Sequence, residues 1–202
     1  MNFANNKPRV KTSSYVKYQF FEHESNKSAY QIGTYGNAKK VFNIGGGFQF
    51  QDKATSDGDA QLASTNFYDM KHWAVDSFLN LPLNNEGAIT AYLGYFDYDF
   101  GKKYIRNVGA DNPTNGGGTD FNGAGVAFPM IGTGTTWYMQ LGYAFKQTKF
   151  LNHSFVIQPN IAIQTSNWDA LNDQMTVYDF TINFLLNGSH NTKFSLPIQT
   201  NF

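Results

Sequence analysis

The chain has 202 residues, enough for one domain or one modest barrel, and it reads as a single unit over 1–202. Its 15 basic and 15 acidic residues cancel, which removes any general attraction to nucleic acid, and the absence of cysteine excludes disulfides and thiolate metal sites. Mean hydropathy is −0.43, and no run approaches the roughly 20 apolar residues of a spanning helix, which excludes a helical membrane protein but not a barrel, half of whose strand residues face water.

Aromatic residues make up 17% of the chain, with 19 Phe and 12 Tyr, and favour strands. The start, Met1 to Val16, is polar and lacks the apolar core of a signal peptide, as expected of a cytosolic chain, a mature one, or one cut from something longer. Tyr15 to Glu22 alternates Val16, Tyr18 and Phe20 against Lys17 and Gln19 and predicts the first strand. Val41 to Gln51 predicts the second, with Phe42, Ile44, Phe48 and Phe50 opposite Asn43, Gly45, Gly47 and Gln49. A long polar loop with the turn signal Asp57-Gly58 follows over 51–69.

Lys71 to Leu81 sets Trp73, Val75, Leu79 and Leu81 against His72, Asp76 and Asn80. A tight turn, Pro82 to Gly87, leads into Ala88 to Phe100, where Ile89, Ala91, Leu93 and Tyr95 oppose Thr90, Tyr92 and Gly94. Residues 101–133 then read as the longest loop. Thr135 to Phe145 resumes the pattern, with Trp137, Met139, Leu141, Tyr143 and Phe145 opposite Thr136, Tyr138, Gln140, Gly142 and Ala144. After a turn at Lys146 to Asn152, Phe155 to Thr165 alternates again, and Pro159, which donates no ladder hydrogen bond, predicts a bulge.

Gln174 to Leu186 is the clearest stretch. Tyr178, Phe180, Ile182, Phe184 and Leu186 fall on one face; Val177, Asp179, Thr181, Asn183 and Leu185 fall on the other. A turn at Asn187 to Asn191 and a last strand from Thr192 complete eight antiparallel strands, with no segment of helical period. Short turns at 82–87, 146–152 and 187–191 alternate with longer loops at 51–69, 101–133 and 166–173, the asymmetry of an outer-membrane barrel with periplasmic turns and external loops. On that count both ends of the chain lie outside, which predicts an interior fragment of a larger barrel; the terminal aromatic Phe202 points the other way.

The segments KKVFNIGGGFQF (Lys39 to Phe50), FLNLPL (Phe78 to Leu83), AITAYLGYFDYDFG (Ala88 to Gly101), AFPMIGTGTTWYMQLGY (Ala127 to Tyr143) and MTVYDFTINFLLNGSHNTKFSL (Met175 to Leu196) resemble, in order, the C-terminal half of porin-like outer-membrane proteins related to the phosphate-selective porins. The resemblance implies a transmembrane β-barrel of more than eight strands in the bacterial outer membrane, a passive channel for small hydrophilic solutes. It implies no enzyme activity and no cofactor. Members of that family continue past the position of Leu196 through a further loop and a closing strand. Phosphate selectivity does not follow from the resemblance.

In such a barrel the lumen lining would be Lys17, Asn43, Gln49, Asp76, Asn80, Tyr138, Gln140, Asn160, Gln164, Asp179 and Asn183, whose mixed signs argue against strong charge selectivity. Lys102, Lys103 and Arg106, just past a strand, would form a basic pore mouth, against the simpler reading of a solvated charge cluster. Trp73, Tyr95, Trp137 and Tyr143 would sit near the membrane interfaces. The partners implied are outer-membrane lipid and small solutes, with homo-oligomerisation open and nucleic acid excluded.

Other chemistry is weakly signalled. His23, His72, His153 and His190 lack metal-ligand spacing, and adjacent His153 and Ser154 point to opposite faces of a strand, out of reach of each other as a catalytic pair. Gly45-Gly46-Gly47 has no Lys-Ser/Thr ending and reads as a thin spot where a bulge or a neighbouring loop packs close. Asp111 to Asn122 partly matches a calcium loop, but Pro113 holds a ligand position and Asn122 stands where a glutamate is needed. The competing architecture is a soluble or cell-surface β-sandwich binding carbohydrate or protein through its long loops, in which the oily faces of two sheets interdigitate.

Overall fold

Alternating residues leave one face of each strand apolar and the other polar, so strands pair in the register that keeps like faces together. The computed structural model describes residues 9–24, 35–56, 66–107, 130–150, 153–188 and 192–201. Among these there is no helix. The strands are β1 (Lys11–Gln19), β2 (Val41–Ser56), β3 (Phe67–Pro82), β4 (Ala88–Asp99), β5 (Ile105–Asn107), β6 (Met130–Gly132), β7 (Gly134–Ala144), β8 (Thr148–Phe150), β9 (His153–Trp168), β10 (Met175–Leu186) and β11 (Lys193–Asn201). The main sheet runs β1-β2-β3-β4-β7-β9-β10-β11, with β8 folded back on the start of β9. All its pairings are antiparallel. The sheet is not closed: β1 and β11 are its edges. The protein is thus all-β and antiparallel, as the alternation predicts.

Four details differ from the sequence expectations. First, β2 and β3 extend to Ser56 and from Phe67, several residues past the expected ends. The β2 extension, Asp52 to Ser56, is mostly polar on both faces, and the β3 extension sets Phe67 and Asp69 against Tyr68 and Met70, so neither alternates apolar against polar. Second, the bulge falls in β2, not at Pro159. The β2–β3 register shifts between Gln51 and Thr55, where Lys53 takes φ 47° and its N–H donates to the Asp69 carboxylate at 3.0 Å. Pro159 pairs with Ile182 in an unbroken β9–β10 register. On the β7 side the paired residues end at Gly142 and Asn160, and the Phe145 N–H then bonds the Ile157 carbonyl at 2.9 Å in the same register. The ladder skips the missing donor without shifting.

Third, Lys146 to Asn152 is not a plain turn, because β8 forms within it. Fourth, the 101–133 segment is anchored by a small sheet, β5 paired with β6. Met130 of β6 packs with Trp168, Met175 and Val177, flanked by Tyr98, Ile105 and Leu171. Thr133 ties this hairpin to the end of β4: its hydroxyl donates to the Gly101 carbonyl at 2.6 Å and accepts from the Phe100 N–H at 3.1 Å. Asp57, Gly58, the 111–122 segment and His190 lie outside the described residues.

Among the described residues nine hydrophobic side chains are buried, and so are nine polar or charged ones. In a water-soluble globule apolar residues dominate the buried set. Here the large apolar side chains sit outward: Trp137 is 49% exposed, Ile161 42% and Phe180 43%, while Asn80 and Ser166 are fully buried.

Candidate functional site

The polar face is built row by row across the strands. One row runs Lys17, Gly45, Asp76, Gly94, Tyr138, Gln164, Val177; the next runs Gln19, Asn43, Phe78, Tyr92, Gln140, Ala162, Asp179, Gln199. The same registers put Gln49, Asn80, Asn160 and Asn183 on this face as well. All eleven residues expected to share one polar face therefore do so.

Their polar atoms are largely satisfied by one another, as burial requires. Asn80 uses its whole amide: Nδ2 donates to the carbonyls of Gly36 (2.9 Å) and Lys39 (2.7 Å), and Oδ1 accepts from Thr90 (3.2 Å) and the Tyr35 N–H (3.4 Å). Asp76 accepts from the phenols of Tyr15 (2.9 Å) and Tyr92 (3.1 Å). Gln140 donates to Asn160 at 3.3 Å, Gln199 to Asp179 at 2.7 Å, and Ser195 to Asn183 at 2.7 Å. Thr136 and Ser166 share a hydrogen bond of 2.9 Å, and Gln164 donates to Ser166 at 3.2 Å.

The glycines of β2 make part of this possible. A Cβ on Gly45 would lie 2.0 Å from the Tyr15 hydroxyl oxygen, and one on Gly47 would lie 3.0 Å from the ring. Tyr15 reaches Asp76 across the gap they leave, so what packs close at this thin spot is a side chain of the adjacent strand β1, not a bulge or a loop.

Near the short turns a charged cluster sits on the same face. Glu24 accepts from Lys17 Nζ at 2.6 Å, from the Tyr35 hydroxyl at 2.7 Å and from Asn43 Nδ2 at 2.9 Å. Burial by itself would raise the Glu24 carboxyl; the hydrogen bonds from Lys17 and Tyr35, the Lys17 charge and the Asn43 amide outweigh it and hold the group below its ordinary value. Burial, and then the Glu24 carboxylate it donates to, push the Tyr35 phenol up. A cavity of about 300 Å³ nearby is bounded by Gly36 and Ala38 on one side and by Gln158, Leu185 and Asn187 on the other. Residues 35–39, which precede β2, therefore lie over the polar face.

Glu24, Tyr15, Tyr92, Gln158 and Ser195 belong to this face but were not among the expected lining residues. Tyr92 and Gln158 carry the right parity for it. Glu24 stands outside any strand, so no alternation could mark it. Lys102 and Lys103 are exposed in the turn after β4, and Arg106 lies in β5. Among the described residues no group of three His, Asp or Glu side chains gathers as a metal site would require.

The opposite face carries an apolar band edged by aromatics. Tyr95 lies between Trp73 and Trp137, with centroids 5.2 and 4.8 Å away. Beyond them, toward the long loops, the same face turns polar at Lys71, Asp97, Thr135 and Asn167. Toward the short turns, Tyr143 meets Phe145 at 4.8 Å and Phe184 meets Phe194 at 6.1 Å, before Lys146 and Lys193. From Trp137 on β7 to Phe145 just past its end, the band spans eight residue steps, about 27 Å of extended chain.

No family model matches the chain, and no curated protein or solved structure matches it.

Proposed function

We propose that this chain forms the wall of a transmembrane β-barrel in the bacterial outer membrane, a porin-like channel for passive diffusion of small hydrophilic solutes, with no catalytic chemistry. The observation that carries this reading is the inversion of burial. Large apolar side chains on eight neighbouring strands point away from the protein, and the opposite face is a hydrogen-bonded polar surface. The largest apolar patch of a typical soluble monomer covers about 300–600 Å². Among the described residues 23 large hydrophobic side chains are exposed, most of them on one face. In water this costs free energy at about 25 cal/mol per Å²; against acyl chains it does not. Aromatics at both margins fit the girdles of such a barrel.

Width bears on the same reading. Eight strands closed on themselves leave an interior that side chains fill. A channel needs a wider wall, and the open edges β1 and β11 are where further strands would add. The eleven polar residues from Lys17 to Asn183 would then face the lumen, with Lys102, Lys103 and Arg106 toward its external mouth.

The sandwich alternative needs a second layer over the apolar face. The β5–β6 hairpin does not supply it, because Met130 packs on Trp168 and Val177, which lie on the polar face. The test is refolding into detergent followed by reconstitution. A porin wall gives heat-modifiable migration on gels and discrete current steps in planar bilayers. A folded, detergent-free monomer in water without such steps would favour the sandwich.

A further inference from the structure

The polar face carries an aromatic row that a simple water-filled wall does not need. On β4 and just past it, the residues pointing to this face are Tyr92, Gly94, Phe96, Tyr98 and Phe100. The Phe96 and Tyr98 rings lie within 3° of parallel with centroids 6.0 Å apart; Tyr98 and Phe100 lie within 18° at 6.2 Å. The His72 ring meets Tyr98 and Phe100 edge-on, at 5.3 and 4.2 Å. At the other end Tyr138 extends the row, 5.9 Å from Tyr92. Gly94 completes it. A Cβ there would lie 2.6 Å from Phe96 Cε2 and 3.1 Å from Tyr92 Cε1, so the two rings lean over the glycine from either side.

Hydrogen-bonding groups flank the row. Asp76 meets Tyr92, and Gln140 and Asn160 stand beyond Tyr138. A cavity of about 400 Å³ opens beside Tyr98 and His72, with Ser13, Tyr15 and Gln49 on its far side. Charge is largely compensated here: Lys17 is held by Glu24, and Asp76 accepts from two phenols. This is not the chemistry of an anion site, which would present free cations. Flat apolar rings bordered by amides and hydroxyls suit a ligand with an apolar face and a polar rim. A pyranose has that form: its axial C–H groups pack on rings while its hydroxyls take the amides.

We propose that the row from Tyr92 to Phe100 is a binding track for neutral oligosaccharides. This rests on the reading of the polar face as a channel lumen, and it narrows the solute class of that channel. The test pairs two readouts on protein refolded in detergent, with maltohexaose as the neutral probe and inorganic phosphate as the anionic one: titration calorimetry for binding, and planar-bilayer current for conduction. Maltohexaose should bind and interrupt the current, and phosphate should bind more weakly. Tyr98→Leu should weaken maltohexaose about tenfold, as expected for the loss of one stacking surface, while Tyr98→Phe, which keeps the ring, should stay close to the parent. Heat-modifiable migration checks that each variant folds, and Phe96→Leu takes the place of Tyr98→Leu if that variant does not. Current steps without maltohexaose binding would overturn the track and leave the channel standing. Binding without current steps would keep the track and overturn the channel. Equal binding by parent, Tyr98→Leu and Phe96→Leu, or phosphate binding tighter than maltohexaose, would overturn the track.

Discussion

Gly134 and Gly142 stand on the same strand and face opposite demands. Gly134 has φ +140°, and a Cβ there would lie 2.0 Å from the Asn167 carbonyl oxygen, a backbone atom that cannot swing aside. Gly142 keeps an ordinary φ, and its nearest neighbour to an added Cβ is 3.8 Å away. Gly134→Ala should cost about 3 kcal/mol or more, whereas Gly142→Ala should fall within about 1 kcal/mol of the parent, as urea unfolding in detergent would show. Glu24 gives a pH-dependent prediction. Its folded carboxyl titrates below its ordinary value, so its stabilising contribution is complete above that value and is lost as pH falls through the lower, folded one. Glu24→Gln should therefore lower stability at neutral pH by about 2 kcal/mol, because it weakens a buried, hydrogen-bonded ion pair. It should also flatten the acid limb of stability against pH; equally steep limbs in both proteins would contradict the role given to Glu24. Much at this scale was hidden in the sequence. Asp76 and Asn80 announce their face by parity, but the phenols that hold Asp76, and the placement of Glu24 against Lys17, depend on how strands and connections meet in space.

At the scale of elements, period-two alternation was enough to find the eight strands of the main sheet and their faces, because each is apolar on one side only. It failed where that contrast fades. The end of β2 is mostly polar on both faces, the start of β3 has Phe67 on one face and Tyr68 and Met70 on the other, β8 is three residues long, and β5 and β6 are too short to show any period. Pro159 misled for a different reason: the proline sits in the ladder facing β7, where one hydrogen bond is omitted without a change of register. The apolar band gives the strand-level prediction. Leu141 lies at its middle on β7 and Thr135 beyond its aromatic margin. If acyl chains solvate this face, Leu141→Arg should cost about 2–4 kcal/mol in lipid vesicles and Thr135→Arg about 0–1 kcal/mol. Equal, small costs at both positions would mean that the face meets water.

For the whole molecule, the telling feature is a sheet with its dry side outward and its wet side satisfied from within. The alternation announced that two-faced character along the chain. It could not announce the open edges at β1 and β11, because these depend on how all eight strands pair. Both the channel and the sugar track stand on the apolar band being solvated by lipid. Trp137, in the aromatic margin of that band, can report this directly once Trp73 and Trp168 are replaced by Phe. In vesicles of phospholipids brominated along their acyl chains, Trp137 fluorescence should be strongly quenched, and bromines set near the headgroup end should quench it more than those near the bilayer centre. Unquenched emission from folded protein would contradict the account.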